Sequence, residues 1–197
     1  MTNCRIAILD YGMGNIKSVF SAFSLYSKNV FIADSKIENA EKLVIPGVGN
    51  FGVAMRNLRE RNLVEKIKGF VSKNKPVLGI CLGLQILFEE SEESKDERGI
   101  QIIKGKVLNL KKIWSGRIPH IGWSKTQNKS CPILKEGEHY YYYAHSFYVA
   151  PDEKSITKAE CSGFTAAVQQ DNIFGVQFHP EKSQRDGLYV IQKFAEI

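Results

Sequence analysis

Three short segments of this chain combine residue types that do chemistry. In PVLGICLGLQILFEE, residues 76–90, Cys81 stands between the apolar run Val77–Ile80 and the recurrence of Leu84, Leu87 and Phe88 at helical spacing. This pattern predicts a strand ending at Cys81 and a helix over residues 82–90. Gly79 and Gly83 flank the cysteine as G-x-C-x-G, the thiol counterpart of a nucleophile elbow. In such a corner the glycines remove Cβ atoms that would clash. The backbone N–H of Leu82, at the start of the helix, is then available to a developing oxyanion, and the same field favours thiolate over thiol.

In GVQFHPEKS, residues 175–183, His179 and Glu181 lie two apart at the end of a strand-like run. An extended backbone points positions i and i+2 the same way, and Pro180 disfavours helix in the residue before it. A carboxylate beside an imidazole fixes its tautomer, so His179 has the makings of a general base with Glu181 as its orienter. In LVIPGVGNFG, residues 43–52, Gly47, Val48 and Gly49 form a loop whose backbone N–H groups are able to approach a ligand closely. Each segment also has a plain structural reading. Cys81 suits a small core hydrophobe, His-Pro-Glu a strand-end turn, and Pro-Gly-Val-Gly a simple loop. Their conjunction favours chemistry.

The elements that must position these residues alternate in the first half. RIAILD, NVFIA, KLVIPG and VLGI read as strands. NIKSVFSAFSLY, with Asn15 as N-cap, and a stretch across residues 52–74 broken near Arg61 and Asn62 read as helices. Alternation of this kind implies right-handed βαβ units and a mostly parallel sheet. From about residue 100 the texture becomes β-rich: GKVLNLKKI, IPHIGWSK, HYYYYAHSFYVA, SITKAEC, FTAAVQQ and IFGVQFH, with QDN as a hairpin turn and DGLYVIQKFAE as a closing helix. FEESEESKDERG reads as a solvated, charge-dense connection.

At 197 residues, with 43% apolar and 24% charged content, a single globular domain over 1–197 is expected. No run approaches the roughly 20 apolar residues of a membrane helix, and MTNCRIAILDYG does not read as a secretory signal. Cys4, Cys81, Cys131 and Cys161 lack CxxC spacing, which speaks against structural zinc and for reduced thiols in the cytoplasm. The net charge of +6 is dispersed, with no nucleic-acid-binding signature, and a basic face for an acidic or phosphate-handling partner accounts for it at least as well as nucleic acid does. No metal or organic cofactor is called for.

With these segments in view, the sequence resembles the class I, triad-type glutamine amidotransferases. More narrowly it is similar to the glutaminase subunits that serve a (β/α)8-barrel synthase in histidine biosynthesis. DYGMGNIKSV (10–19), PGVGNFG (46–52), GICLGLQILFEESEE (79–93), IPHIGW (118–123), YYYAHSF (141–147) and GVQFHPEKSQRDG (175–187) occur in the family's order. The resemblance implies an α/β, flavodoxin-like fold: a mostly parallel central sheet with flanking helices and additional antiparallel strands in the second half. It implies that Cys81 attacks the carboxamide of L-glutamine, with His179 as base and acid and Glu181 as orienter. The oxyanion donors would be Leu82 and, after a peptide reorientation, the Val48 and Gly49 segment. Gly47, Gln85, His145, Ser146 and Phe147 would hold the glutamine.

Asn15, His120 and Trp123 would face the barrel subunit of a heterodimer, into which ammonia passes by a protected channel. Neither nucleic acid nor membrane is implied as a partner. Two features depart from the family pattern, Ser124 after PHIGW and the segment ERGIQIIK. Neither touches the triad, but both bear on which synthase is served. The open alternatives are a paralogous subunit supplying ammonia for surface-sugar amination, another cysteine hydrolase or peptidase on the same sheet, and a binding module with a decayed site.

Overall fold

A computed structural model of the chain describes residues 1–152 and 157–197. The strands are β1 (Thr2–Leu9), β2 (Ser27–Ala33), β3 (Lys42–Ile45), β4 (Val77–Ile80), β5 (Glu90–Ser91), β6 (Gly105–Asn109), β7 (His120–Asn128), β8 (Gly137–His145), β9 (Phe147–Pro151), β10 (Thr157–Cys161), β11 (Phe164–Gln170) and β12 (Ile173–Val176). Ser155 and Ile156, with which the expected SITKAEC strand begins, lie outside the described residues. The helices are α1 (Ile16–Ser24), α2 (Phe51–Glu60), α3 (Leu63–Val71), α4 (Leu82–Gln85) and α5 (Gln184–Glu196).

Nine strands form one sheet in the order β2-β1-β3-β4-β12-β11-β10-β7-β8. The first five are mutually parallel, and the sheet turns antiparallel at β11. A second sheet holds β5, β6 and β9. The expected α/β architecture is therefore present, mostly parallel in its first half and antiparallel in its second.

Both faces of the parallel region are covered, which is why its strands are nearly continuous apolar runs. Along β1, Ile6 and Ile8 pack with Val19, Phe23, Val190 and Phe194 of α1 and α5, while Ala7 and Leu9 join Leu58, Ile67 and Phe70 of α2 and α3. Asn15 caps α1 as expected, its Oδ1 accepting from Ser18 N at 3.3 Å.

Three expectations are corrected. The helix after Cys81 stops at Gln85 instead of reaching residue 90. The bonds that would extend it go elsewhere: Leu87 N and Phe88 N donate only three residues back, to Leu84 O and Gln85 O, Glu89 N donates to Gly105 O, and Ile86 O accepts from Ile100 N. HYYYYAHSFYVA is two strands in different sheets, parted at Ser146. The acidic connection is not merely solvated, since Ser91 is buried and Glu93 Oε2 accepts from Phe51 N at 2.7 Å at the start of α2.

Candidate active site

β4 and β12 are parallel neighbours, with Ile80 opposite Val176. Parallel strands end on the same edge of a sheet, so residues following each leave it side by side. Cys81 N donates to Val176 O at 2.8 Å, and the Gln177 amide Nε2 donates to Cys81 Sγ at 3.6 Å. Residues nearly a hundred positions apart thus meet at one edge.

Cys81 itself has φ 54° and ψ −108°, a left-handed backbone that L-residues avoid. The corner is tight enough to forbid a Cβ on either flank. A methyl on Gly83 would lie 1.7 Å from Ile45 O, and one on Gly79 would lie 2.7 Å from Gly83 O and Leu84 Cα. The glycines predicted from G-x-C-x-G are required here by direct backbone contact.

His179 and Glu181 are joined as expected, Nδ1 to Oε1 at 2.9 Å, with both side chains almost fully buried. The route differs from the expected extended strand. β12 ends at Val176, and Glu181 sits in a 3-10 turn, Pro180–Lys182, that folds the carboxylate back under the ring. The turn is clipped to β8. His179 N donates to Tyr142 O (2.9 Å), Ser183 Oγ donates to His179 O (2.7 Å), and Tyr142 N donates to Ser183 Oγ (2.9 Å). Phe178 stacks on Tyr141 at 4.0 Å between ring centroids, anchoring the residue before the histidine.

Burial opposes charge on His179, but the Cys81 sulfur and the Glu181 carboxylate outweigh it and raise the imidazole to about 10. Its Nε2 is buried without a hydrogen bond of regular geometry among the described residues. The ring is thus held by Glu181 on one side and leaves its other nitrogen to exchange a proton with the thiol or with a substrate.

A cavity of about 140 Å³ opens beside the sulfur, lined by Val48, Gly49, Cys81, Leu82, Gln85, Glu93, Pro119, Ala144, His145, Ser146 and Phe147. Val48, Gly49, Leu82, Gln85, His145, Ser146 and Phe147, all expected from the sequence, are brought together here. Gly47 lies just behind, and its carbonyl accepts from Leu82 N at 3.4 Å. Gln85 Nε2 bridges Phe147 O (2.9 Å) and Gln177 Oε1 (3.1 Å). Sequence reasoning missed Gln177 and Glu93. Gln177 was detectable as the i−2 neighbour of His179 in an apolar run. Glu93 was hidden in a charge-dense segment whose composition suggested only surface.

Among residues expected at a partner face, Asn15 and Trp123 are exposed, as are Ile121 and Tyr140. His120 is not on that face. It is buried, Nδ1 to His145 Nε2 at 3.2 Å and Nε2 to Ser124 Oγ at 2.8 Å, because β7 alternates and turns residues 121 and 123 outward. His145 Nδ1 also meets Phe147 O at 2.9 Å, which fixes the tautomers along the pair.

Burial pushes His145 down to about 4 and lowers His120 as well. Because the folded value of His145 lies below its ordinary 6.5, the unfolded chain binds the extra proton between those limits. Stability is therefore lost as pH falls from 6.5 to about 4, by about 3 kcal/mol for His145. Urea unfolding across this window is expected to show a steeper pH dependence in the wild type than in His145→Gln. Parallel curves would contradict the assignment.

A strand-to-helix cysteine elbow, a histidine–glutamate pair just beyond the neighbouring parallel strand and an adjoining cavity bring together the groups that a triad hydrolase would use. The chain belongs to the class-I glutamine amidotransferases: the family model "Glutamine amidotransferase class-I" matches residues 7–196. Solved structures agree on the fold. A protein described as "Crystal structure of glutamine amidotransferase" superposes with TM-score 0.79 at 15% identity, over 98% of this chain and 99% of that one. The structure of PurLQS from Thermotoga maritima does so with TM-score 0.76 at 18% identity, over 99% of both.

Within the family, the relatives are specific. The chain is 43% identical over 201 residues to "Imidazole glycerol phosphate synthase subunit HisH" of Sulfurimonas denitrificans, covering 97% of each. It is 42% identical over 198 residues to the protein of that name from Methanocaldococcus jannaschii, covering 98% of this chain and 99% of that protein. No helix among the described residues is long and apolar enough to cross a membrane.

Proposed function

We propose that the chain is the glutaminase subunit of an imidazole glycerol phosphate synthase. It hydrolyses L-glutamine and passes the ammonia to a (β/α)8-barrel synthase subunit, for imidazole glycerol phosphate and AICAR formation in L-histidine biosynthesis. The observation that carries the chemistry is the parallel pairing of β4 with β12, which sets Cys81 beside Gln177 and the His179–Glu181 pair. The particular synthase is supported by near-full-length relatives of that name.

His179 takes the Cys81 proton, and the thiolate attacks the carboxamide carbon of glutamine held by Gln85, His145, Ser146 and Phe147. The oxyanion is received by Leu82 N–H together with the Val48 and Gly49 segment. Collapse breaks the C–N bond. The proton on His179 goes to the departing nitrogen, leaving ammonia and a glutamyl thioester on Cys81. Water, deprotonated by His179, then releases glutamate and restores the thiol. Glu181 keeps the ring oriented and stabilises its charged form in both halves.

The oxyanion position is closed at rest, because Gly47 O already accepts the Leu82 N–H. The barrel subunit, docked on the face that carries Asn15 and Trp123, would open it. A protected route matters because free ammonia becomes ammonium at neutral pH and ceases to be a nucleophile. The four unpaired cysteines suit a reducing cytoplasm. Glutamate release by the chain alone, with the barrel subunit, and with that subunit plus the phosphorylated histidine-pathway intermediate tests this reading. The expected order is slow, intermediate and fastest, with at least about a tenfold span. Equal rates in all three would contradict it.

A further inference from the structure

Tyr11, two residues beyond the end of β1, is fully buried, yet its hydroxyl has no hydrogen-bond partner among the described residues. An unsatisfied buried hydroxyl forfeits its hydration with nothing in return, so natural folds seldom keep one without cause. Its backbone is held in place, since Tyr11 O accepts from Asn57 Nδ2 at 3.0 Å. The hydroxyl abuts the loop behind the nucleophile. A methyl on Gly47 would lie 2.5 Å from the Tyr11 oxygen, 3.0 Å from Leu82 Cβ and 3.1 Å from Gly83 N.

Gly47 is also the residue whose carbonyl blocks the oxyanion position. Its contact with Leu82 N, at 3.4 Å, is long for a hydrogen bond and therefore weak. An oxyanion bound at Leu82 N–H would face that carbonyl oxygen, negative against negative, so the carbonyl must turn away before catalysis. A carbonyl turned into the protein needs a new donor.

We propose that Tyr11 is a positioning residue: its hydroxyl donates to the Gly47 carbonyl once that group has left Leu82 N–H, and so holds the Gly47–Val48 peptide with the Val48 N–H turned toward the substrate. The inference rests on the glutaminase reading. The resting state leaves the hydroxyl unsatisfied and the catalytic state satisfies it, which biases the loop toward the working arrangement. Burial, and next the nearby Cys81, push the phenol up, so it keeps its proton and stays a donor throughout the working range.

Tyr11→Phe deletes only the oxygen. In the complex with the barrel subunit, its kcat for glutamate release is expected to fall roughly 10- to 100-fold, with KM for glutamine within about twofold. The thermal midpoint of the variant chain should be unchanged or higher, because an unpartnered polar atom has gone. A merely structural tyrosine would behave oppositely, with a lower midpoint and a raised KM, and that result overturns the proposal. So does an unchanged kcat in a complex whose wild type is active. A wild-type complex that releases no glutamate would instead overturn the glutaminase reading itself, and this inference with it.

Discussion

Cys81→Ala is expected to lower glutamine hydrolysis by roughly 10⁴- to 10⁶-fold while leaving the fold and the partner contact intact. The magnitude follows from removing the nucleophile of a triad whose members act as one unit. The fold should survive because alanine keeps the Cβ, because the sulfur's contacts with the Gln177 amide (3.6 Å) and the Ala144 carbonyl (3.9 Å) are long, and because Glu181 still holds His179 when the sulfur is gone. Alanine also carries no larger penalty than cysteine at φ 54°. Asn15 and Trp123, the exposed groups of the expected docking face, are untouched. Glutamate release and co-purification with the barrel subunit, measured on one preparation, check both halves. Retained hydrolysis would refute the nucleophile, and lost co-purification would refute the separation of site from interface.

Gly83→Ala is expected to be the most damaging single-methyl change in the chain. The added carbon would lie 1.7 Å from Ile45 O and 2.7 Å from Ile45 C, both backbone atoms of β3, so no rotamer change relieves the clash. Either the Cys81 corner or β3 must move, and both belong to the packed centre of the sheet. A loss of more than about 4 kcal/mol is expected, lowering the melting midpoint by roughly 10 °C or more for a domain of this size. Gly69→Ala is the matched control. It lies in α3 with nothing among the described residues within 4 Å of its added methyl, and is expected to be neutral or stabilising by up to about 1 kcal/mol. Equal effects of the two substitutions would show that the elbow is looser than its contacts imply.

What the sequence disclosed depended on how local the physics was. The elbow was legible because its motif is local and Gly79 answers to Gly83 and Leu84 close by, although the demand on Gly83 comes from Ile45 of β3, and α1 announced its own cap at Asn15. The meeting of Cys81 with His179 was legible only through motif resemblance. Nothing in spacing says that β12 inserts beside β4, since the pairing spans the whole second half of the chain. The helix beyond Gln85 was overextended because residues 99–105 take backbone hydrogen bonds of residues 86–89, a tertiary event invisible to periodicity. His120 was misassigned to the partner face although strand alternation, applied to His120 and Trp123, places them on opposite sides. The orphaned Tyr11 hydroxyl could not be read at all, because partnership is a property of the folded interior.

The central claim is that Cys81, served by His179, forms a covalent bond to the acyl group of glutamine. Acid quenching of the complex during steady-state turnover of glutamine, followed by digestion and mass spectrometry, tests it directly. A glutamyl thioester on the peptide bearing Cys81, absent when glutamate replaces glutamine and absent from the peptides of Cys4, Cys131 and Cys161, is the predicted result. Sustained glutamate release with Cys81 unmodified, or with the adduct on another residue, would contradict it.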